Sequence, residues 1–222
     1  MKNDYELVIF DLDGTLLDTS CGILAAVSGA LDALHIPYGK ELKATEFIGP
    51  PIEKALQKHL SLEGEVLQAA AKEFRTQYAK EHLLKATPYE GMERLLVSLR
   101  HAGFGRAVAT YKREAVAERL LWHCGLAKHF NIIHGTNDAH PQSKADLIRQ
   151  CVEDYGLCNS RHAVMIGDTD EDASGAALAG VDFIAVTYGF GFVRQHFTTI
   201  HPCVGVASTP SEVLHLIKGD TV

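Results

Sequence analysis

Two aspartates stand two residues apart, directly after an apolar run near the start of the chain. The run 7–10 predicts a short buried strand, and Asp11-Leu12-Asp13-Gly14-Thr15 follows it. In an extended chain the side chains of residues i and i+2 leave the same face, so Asp11 and Asp13 point the same way. Two like charges this close repel unless a cation or a shared proton compensates them. The pair predicts a nucleophile beside a proton carrier, and the alternative is an acidic surface turn.

A second acidic cluster, Gly167-Asp168-Thr169-Asp170-Glu171-Asp172, follows the apolar run 162–166. Asp168 and Asp172 are four residues apart, so one helical turn can bring both side chains towards one point. Mg²⁺ prefers oxygen ligands and keeps few protein carboxylates, and this cluster could supply them. The alternative is that the acidic and hydroxyl side chains cap the helix that follows.

The segment Asp11-x-Asp13-Gly14-Thr15 resembles the first motif of the haloacid dehalogenase-like hydrolase superfamily, whose members mostly transfer phosphoryl groups through an aspartyl-phosphate. The other motifs of that superfamily have counterparts in the expected order over essentially the whole chain, and Gly167-Asp168 with Asp172 matches the fourth. The resemblance implies Mg²⁺ held by Asp11, the main-chain carbonyl of Asp13 and Asp168. Asp172 would be a second ligand or would hold metal-bound water.

Thr110 and Lys144 resemble the second and third motifs of the superfamily. Thr110 ends a predicted strand, and the resemblance implies that its hydroxyl binds a phosphoryl oxygen; the alternative is an ordinary cap. Lys144 begins a predicted helix, where a cation opposes the helix dipole unless an anion lies nearby. The resemblance implies that Lys144 steadies the nucleophile and the phosphoryl group, and the alternative is a surface lysine.

The resemblance also implies roles in catalysis and substrate binding. Asp11 would attack phosphorus, while Asp13 would protonate the leaving oxygen and later deprotonate water. We expect backbone N–H groups around Leu12, Asp13 and Tyr111 to hold the phosphoryl oxygens. Lys112 either contacts the substrate or is an ordinary solvated lysine. Gly49, within a cap loop at residues 45–51, is a further candidate for substrate contact.

Strand and helix patterns alternate after residue 88, whereas residues 20–34, 51–60 and 64–84 show helical periodicity alone. The predicted strands lie at 106–110, 130–134, 162–166, 183–187 and 203–207, and the predicted helices at 91–101, 113–124, 143–155, 171–179 and 210–217. Such alternation predicts a parallel sheet with helices on both faces and a ligand site beyond the carboxyl ends of its strands. Asp11, Thr110 and Asp168 each stand at or just past such an end.

We therefore expect an α/β fold, a Rossmann-like parallel-sheet core with a small all-helical cap domain inserted after the first strand. Residues 1–17 and 88–222 would form the core and residues 18–87 the cap. The insertion resembles the type 1 cap of the phosphoglycolate phosphatase-like group. This predicts a Mg²⁺-dependent phosphatase for a small phosphate monoester, phosphoglycolate-like or a sugar phosphate. The alternatives are a phosphomutase of the β-phosphoglucomutase type and, disfavoured by the complete motif set, a non-catalytic binding protein.

Composition narrows the remaining classes. A formal charge of −7 argues against nucleic acid as a partner. No apolar stretch reaches the roughly 18 residues that a membrane-spanning helix needs, so we expect no such helix and no membrane as a partner. The first strand begins too early to leave room for a signal peptide, so we expect a cytoplasmic protein, a monomer or homodimer. Five cysteines without a C-x-x-C pair make a disulfide framework or a structural zinc site improbable.

Overall fold

The computed structural model describes residues 4–39, 41–49, 51–137, 142–193 and 201–219. Within these ranges the helices are α1 Ser20–Ala33, α2 Ala44–Phe47, α3 Ile52–Leu60, α4 Gly64–Gln77, α5 Met92–His101, α6 Glu114–His123, α7 Lys144–Tyr155, α8 Asp170–Ala179 and α9 Pro210–Lys218. The strands are β1 Leu7–Phe10, β2 Leu17–Asp18, β3 Thr87–Pro88, β4 Gly105–Arg113, β5 Ile132–Thr136, β6 Ala163–Gly167, β7 Asp182–Val186 and β8 Gly205–Ala207.

Six strands form a parallel sheet in the order β5-β4-β1-β6-β7-β8. Strand β1 lies in the middle of this sheet, between β4 and β6. Each of its four residues is fully buried, as expected for a strand covered by helices on both faces. The predicted α/β fold class is confirmed, and the carboxyl ends of β1, β4 and β6 lie side by side.

The cap helices, α1–α4, lie in the chain between β2 and β3. The chain leaves the core and returns to it through a short antiparallel ladder in which Leu17 pairs with Pro88 and Asp18 with Thr87. Helix α1 packs along α4, and a π-helical turn, Tyr78–His82, follows α4. The division into a core and a cap of residues 18–87 stays a prediction, and the ladder lies at both ends of that range.

Some elements differ from their predicted bounds. Helix α2 lies in a segment for which no helix was predicted, because a single turn of four residues is too short to show a period. The predicted helix at 64–84 ends its regular α-helical part at Gln77. Strand β4 continues past Thr110 to Arg113, with a register shift against β5 between these two residues. The extension depends on pairing with β5, and no alternation of apolar residues in the sequence predicts it.

Among the described residues, none of the helices has the length and apolar character required to cross a membrane.

Candidate active site

The strand ends bring the predicted acidic residues into one buried region. Asp11 follows β1, and its backbone N–H donates to the carbonyl oxygen of Ile166 in β6 at 2.9 Å. Thr110 lies in β4 and Asp168 follows β6 directly. The side chains of all three are buried. Adjacent parallel strands thus place them at a single edge of the sheet, as the sequence predicts.

Lys144 is the first residue of α7, which is capped by Ser143. Its Nζ lies 2.5 Å from Oδ1 of Asp11 and 2.8 Å from Oδ1 of Asp172, and it donates to the carbonyl of Ala109 at 2.9 Å. Burial opposes the charge of this ammonium, yet the two carboxylates outweigh it and raise the pKa of Lys144. The anion that a lysine at a helix N-terminus requires is therefore present.

Asp168 has one satisfied and one unsatisfied oxygen. Its Oδ2 accepts backbone N–H groups from Phe190 at 2.8 Å and Gly191 at 3.2 Å. Its Oδ1 is buried and has no hydrogen-bond partner among the described residues. Glycine is needed on two sides of the carboxylate, because a Cβ on Gly14 or Gly189 would stand 2.2 or 2.4 Å from Oδ2. The chain thus encloses a carboxylate oxygen that lacks a partner.

Asp172 confirms the capping interpretation of the second acidic cluster and also contacts Lys144. Its Oδ2 accepts from the backbone N–H of Thr169 at 3.1 Å and from the hydroxyl of Thr169 at 2.7 Å, which completes a capping box at the start of α8. Its Oδ1 faces the ammonium of Lys144. One carboxylate therefore caps the helix and also takes part in the buried cluster.

The buried cluster carries excess negative charge. One oxygen each from Asp11, Asp168 and Asp172 lies within 4.8 Å of the others. Burial raises the pKa of Asp11 well above its ordinary value, although Lys144 opposes the shift. Burial, together with the smaller effect of the nearby Asp172 carboxylate, raises the pKa of Asp168 to about 7. When all three carboxylates are ionised, they leave two negative charges that the one ammonium of Lys144 does not offset. An oxygen-only donor set with an unpartnered oxygen and this charge fits one divalent cation such as Mg²⁺.

Asp13 lies outside this cluster of carboxylates. Its Oδ2 is 3.1 Å from Nζ of Lys112, and its Oδ1 accepts from the hydroxyl of Thr19 at 2.6 Å. The side chain of Lys112 is only 10% exposed, so the alternative of an ordinary solvated lysine is wrong. Asp11 and Asp13 are thus paired with different lysines, Lys144 and Lys112.

A cavity of about 20 Å³ lies between these residues and the cap. Its lining includes Gly49 from the cap loop and Thr110, Tyr111 and Lys144 from the core. The hydroxyl of Tyr111 accepts from the backbone N–H of Lys144 at 3.1 Å, which fixes this ring beside the cavity. The side chain of Leu12 is fully buried, so only its backbone could meet a substrate. Pro50 of the predicted cap loop lies outside the described residues.

Sequence reasoning missed several groups that the fold adds to the site. They are the hydroxyl of Thr19, the phenol of Tyr78 in the π-helical turn and the backbone N–H groups of Phe190 and Gly191. The Gly-x-Gly spacing at 189–191, just past the carboxyl end of β7, is a signal that could have found the last two. No sequence pattern marks Tyr78, which reaches the core from the cap.

The structure is thus an α/β parallel sheet with buried carboxylates and a lysine clustered at the carboxyl ends of its central strands. The model of the haloacid dehalogenase-like hydrolase family matches residues 8–186. The chain therefore belongs to the haloacid dehalogenase-like hydrolase family, which confirms the resemblance drawn from its motifs.

Curated relatives carry different activity names. The tyrosine-protein kinase PtkA of Mycobacterium tuberculosis is 36% identical over 199 residues, which cover 88% of this chain and 67% of the relative. A 5'-nucleotidase of Pseudomonas aeruginosa is 33% identical over 208 residues, 92% of this chain and 93% of the relative. A phosphoglycolate phosphatase of Vibrio parahaemolyticus is 29% identical and covers 97% of both chains.

Solved structures agree with the family. The crystal structure of a predicted phosphatase from Clostridium acetobutylicum superposes with a TM-score of 0.85 at 31% identity and covers 96% of this chain and 98% of that one. With the phosphatase names among its relatives, the chain is a phosphatase of the haloacid dehalogenase-like family.

Asp168→Asn tests whether the buried carboxylate is held for a cation. Burial and Asp172 raise the pKa of Asp168 to about 7, so at pH 8 the folded protein carries the ionised form at a cost to its stability, and we expect Asn to stabilise the metal-free protein by up to about 4 kcal/mol. Asn keeps an acceptor for Phe190 and Gly191 but removes the charge. Thermal unfolding with and without Mg²⁺ measures this, and the variant should lose any Mg²⁺-induced rise in Tm.

Asp170→Asn is the matched control, since Asp170 lies two residues after Asp168 and is exposed in the first turn of α8. It should leave both the Tm and the Mg²⁺ response unchanged. A lower Tm for metal-free Asp168→Asn, or a Mg²⁺ response equal to that of the unaltered protein, would contradict the assignment.

Proposed function

We propose that this protein is a Mg²⁺-dependent phosphatase that hydrolyses small phosphate monoesters through a phosphoryl intermediate on Asp11. The observation that carries the proposal is the buried cluster of three carboxylates with one lysine, which carries two excess negative charges when all three are ionised. Phosphatases among the relatives and the closed site beneath the cap loop support it.

The chain would hold Mg²⁺ with Asp11, the unpartnered oxygen of Asp168 and the main-chain carbonyl of Asp13, with Asp172 close by. The ion would supply positive charge that offsets the repulsion between a carboxylate nucleophile and an anionic ester. Lys144 adds a second positive charge next to Asp11. Two anions can then approach each other in a site from which water is largely excluded.

Asp11 is oriented for attack by its partners. Lys144 holds Oδ1 of Asp11, which leaves the second carboxylate oxygen to form a bond with phosphorus. The Thr110 hydroxyl accepts from the backbone N–H of Lys112 at 3.2 Å, so its own O–H is available to donate to a phosphoryl oxygen. Backbone N–H groups of Leu12 and Tyr111 would bind the remaining oxygens.

Asp13 would move the protons in two steps. As the Asp11–phosphorus bond forms and the ester P–O bond breaks, Asp13 gives its proton to the leaving alkoxide. The Asp13 carboxylate then takes a proton from water, whose oxygen attacks phosphorus and releases inorganic phosphate and free Asp11. Each of the two steps is easier than direct hydrolysis.

The phosphoryl acceptor separates this proposal from its alternatives. A phosphomutase of the β-phosphoglucomutase type would pass the group to a second sugar hydroxyl, and the likeness to PtkA raises a tyrosine hydroxyl as another acceptor. Following ³²P from the ester into inorganic phosphate, into a second sugar position or into protein tyrosine distinguishes the three. Release as inorganic phosphate is the expected outcome.

Asp11→Asn tests the nucleophile. The amide keeps the size of the side chain but is a very poor nucleophile, so we expect kcat to fall by about 10³-fold or more while the fold survives. Hydrolysis of p-nitrophenyl phosphate measures the loss, and circular dichroism checks the fold. Asp154→Asn, on the exposed face of α7, is the control. Substantial turnover by folded Asp11→Asn would refute the mechanism.

Chelation tests the metal. We expect EDTA to abolish hydrolysis and Mg²⁺ to restore it, because the oxygen-only ligand set leaves the buried charge uncompensated without a cation. Ca²⁺ should restore it poorly, since its larger and looser coordination shell misplaces the reacting oxygens. Activity that survives exhaustive dialysis against chelator would overturn the metal requirement.

Substrate size follows from the cavity. A space of about 20 Å³ holds roughly one water molecule, so the cap loop must move away from the core to admit an ester and then close over it. We expect kcat/KM for 2-phosphoglycolate, glucose 6-phosphate or AMP to exceed that for a phosphotyrosine peptide by about tenfold or more. Free phosphotyrosine is the matched control, because it has the same leaving group without the peptide. Equal rates for the peptide and the best small ester would mean that the cap does not close in this way.

A further inference from the structure

Lys112 connects the core to the cap. Its Nζ lies 3.1 Å from Oδ2 of Asp13 in the core and donates to the hydroxyl of Tyr78 in the cap at 3.3 Å. The same nitrogen is 4.7 Å from the centroid of the Tyr78 ring. One ammonium therefore touches both the proposed proton carrier and a side chain of the cap.

The backbone of β4 aims Lys112 at Asp13. Thr110 pairs with Gly135 and Arg113 with Thr136, so β4 has two more residues than β5 between these pairs. Gly135 permits this irregularity, because a Cβ there would stand 2.4 Å from the carbonyl oxygen of Lys112. A bulge of this kind redirects side chains next to a site, and here the redirected side chain is that of Lys112, which meets Asp13.

Tyr78 is held firmly on the side of the cap. It begins the π-helical turn after α4, its ring stacks on Phe74 with centroids 5.6 Å apart and planes at 8°, and it is buried. Gly22 of α1 packs closely against it, since a Cβ there would lie 3.4 Å from the ring. The hydroxyl that meets Lys112 is thus fixed by two cap helices.

Charge and burial explain why Lys112 needs both partners. The side chains of Lys112 and Asp13 are 10% and 15% exposed. Burial works against the ammonium, but Asp13 and then Tyr78 outweigh it, and the pKa of Lys112 is raised. Burial also raises the pKa of Tyr78, so its phenol stays neutral and can accept the N–H of Lys112. When Asp13 is ionised, its pair with Lys112 is electrically neutral, and this pair is separate from the carboxylates around Lys144.

We propose that Lys112 is a positioning residue that orients Asp13 for proton transfer, and that Tyr78 makes this orientation depend on the placement of the cap. The inference rests on the proposed function, in which Asp13 carries the proton. When the cap is in place, Lys112 holds Oδ2 of Asp13 while Thr19 holds Oδ1. When the cap withdraws, Tyr78 withdraws with it and Lys112 loses its second partner. Efficient proton transfer is then confined to the closed form.

The test compares phenyl phosphate with p-nitrophenyl phosphate, which differ mainly in how much the leaving oxygen needs a proton. For Lys112→Gln we expect kcat for phenyl phosphate to fall by about tenfold or more, against about threefold or less for the nitrophenyl ester. Tyr78→Phe, which keeps the ring stack on Phe74, should show the same selectivity at smaller size. In the double variant, Tyr78→Phe should add almost nothing, because both changes act through one contact.

Matched controls are Lys128→Gln, which breaks an exposed ion pair with Glu93, and Tyr38→Phe, which removes an exposed cap hydroxyl. Neither should change the ratio between the two esters. Circular dichroism and Tm show whether each variant folds, and the mild change in Tyr78→Phe keeps the test decisive if Lys112→Gln unfolds.

Three results would overturn the inference. Equal losses for both esters would make Lys112 structural, a rise in KM with unchanged kcat would make it a substrate contact, and additive effects in the double variant would uncouple Tyr78 from it. In each case hydrolysis by the unaltered protein and its loss in Asp11→Asn would leave the proposed function standing. Failure of the unaltered protein to hydrolyse either ester would instead count against the proposed function.

Discussion

The buried ammonium of Lys144 is the interaction on which the site depends. A charge without partners cannot stay at the edge of a parallel sheet, and Lys144 is accepted there because Asp11 and Asp172 contact it directly. Its approach requires α7 and α8 to pack closely. Gly175 of α8 allows this, since a Cβ there would stand 2.6 Å from Cγ of Lys144. Helix packing, the helix cap at Asp172 and the position of the nucleophile are thus parts of one electrostatic arrangement.

The two aspartates of the first motif, Asp11 and Asp13, are two residues apart but lie in different environments. Asp11 shares Lys144 with Asp172 and lies close to Asp168, so its surroundings are short of positive charge, whereas Asp13 pairs with Lys112. The excess negative charge that a divalent cation would offset therefore lies around the side chain of Asp11. Different environments for neighbouring carboxylates are how one site supports two different roles. In the proposed mechanism, the division between nucleophile and proton carrier therefore comes from the two lysines as much as from the two aspartates.

Much of the site could be predicted from the sequence because it follows from local rules. Parallel strands bring their carboxyl ends to one edge, which places Asp11, Thr110 and Asp168 together without knowledge of the loops. The helix dipole predicts an anion near Lys144. What local rules could not supply is contact across long separations, such as Tyr78 with Lys112. The extension of β4 was missed for the same reason, because its pairing with β5, and not its own composition, sets it.

The side chains that hold Asp11 and those that hold Asp13 come from different parts of the fold. Asp11 and Lys144 take their partners from core strands and from α7 and α8, so their arrangement does not depend on the cap. Asp13 is held by residues that belong to the cap or contact it. Thr19, at the start of α1, donates to its carboxylate, and Lys112 donates to the hydroxyl of Tyr78, which follows α4. In the proposed mechanism, moving the cap would therefore disturb the proton carrier, Asp13, and spare the nucleophile, Asp11. An enzyme built this way can bind its ester with the cap open, yet it assembles the group that moves protons only when the substrate is enclosed.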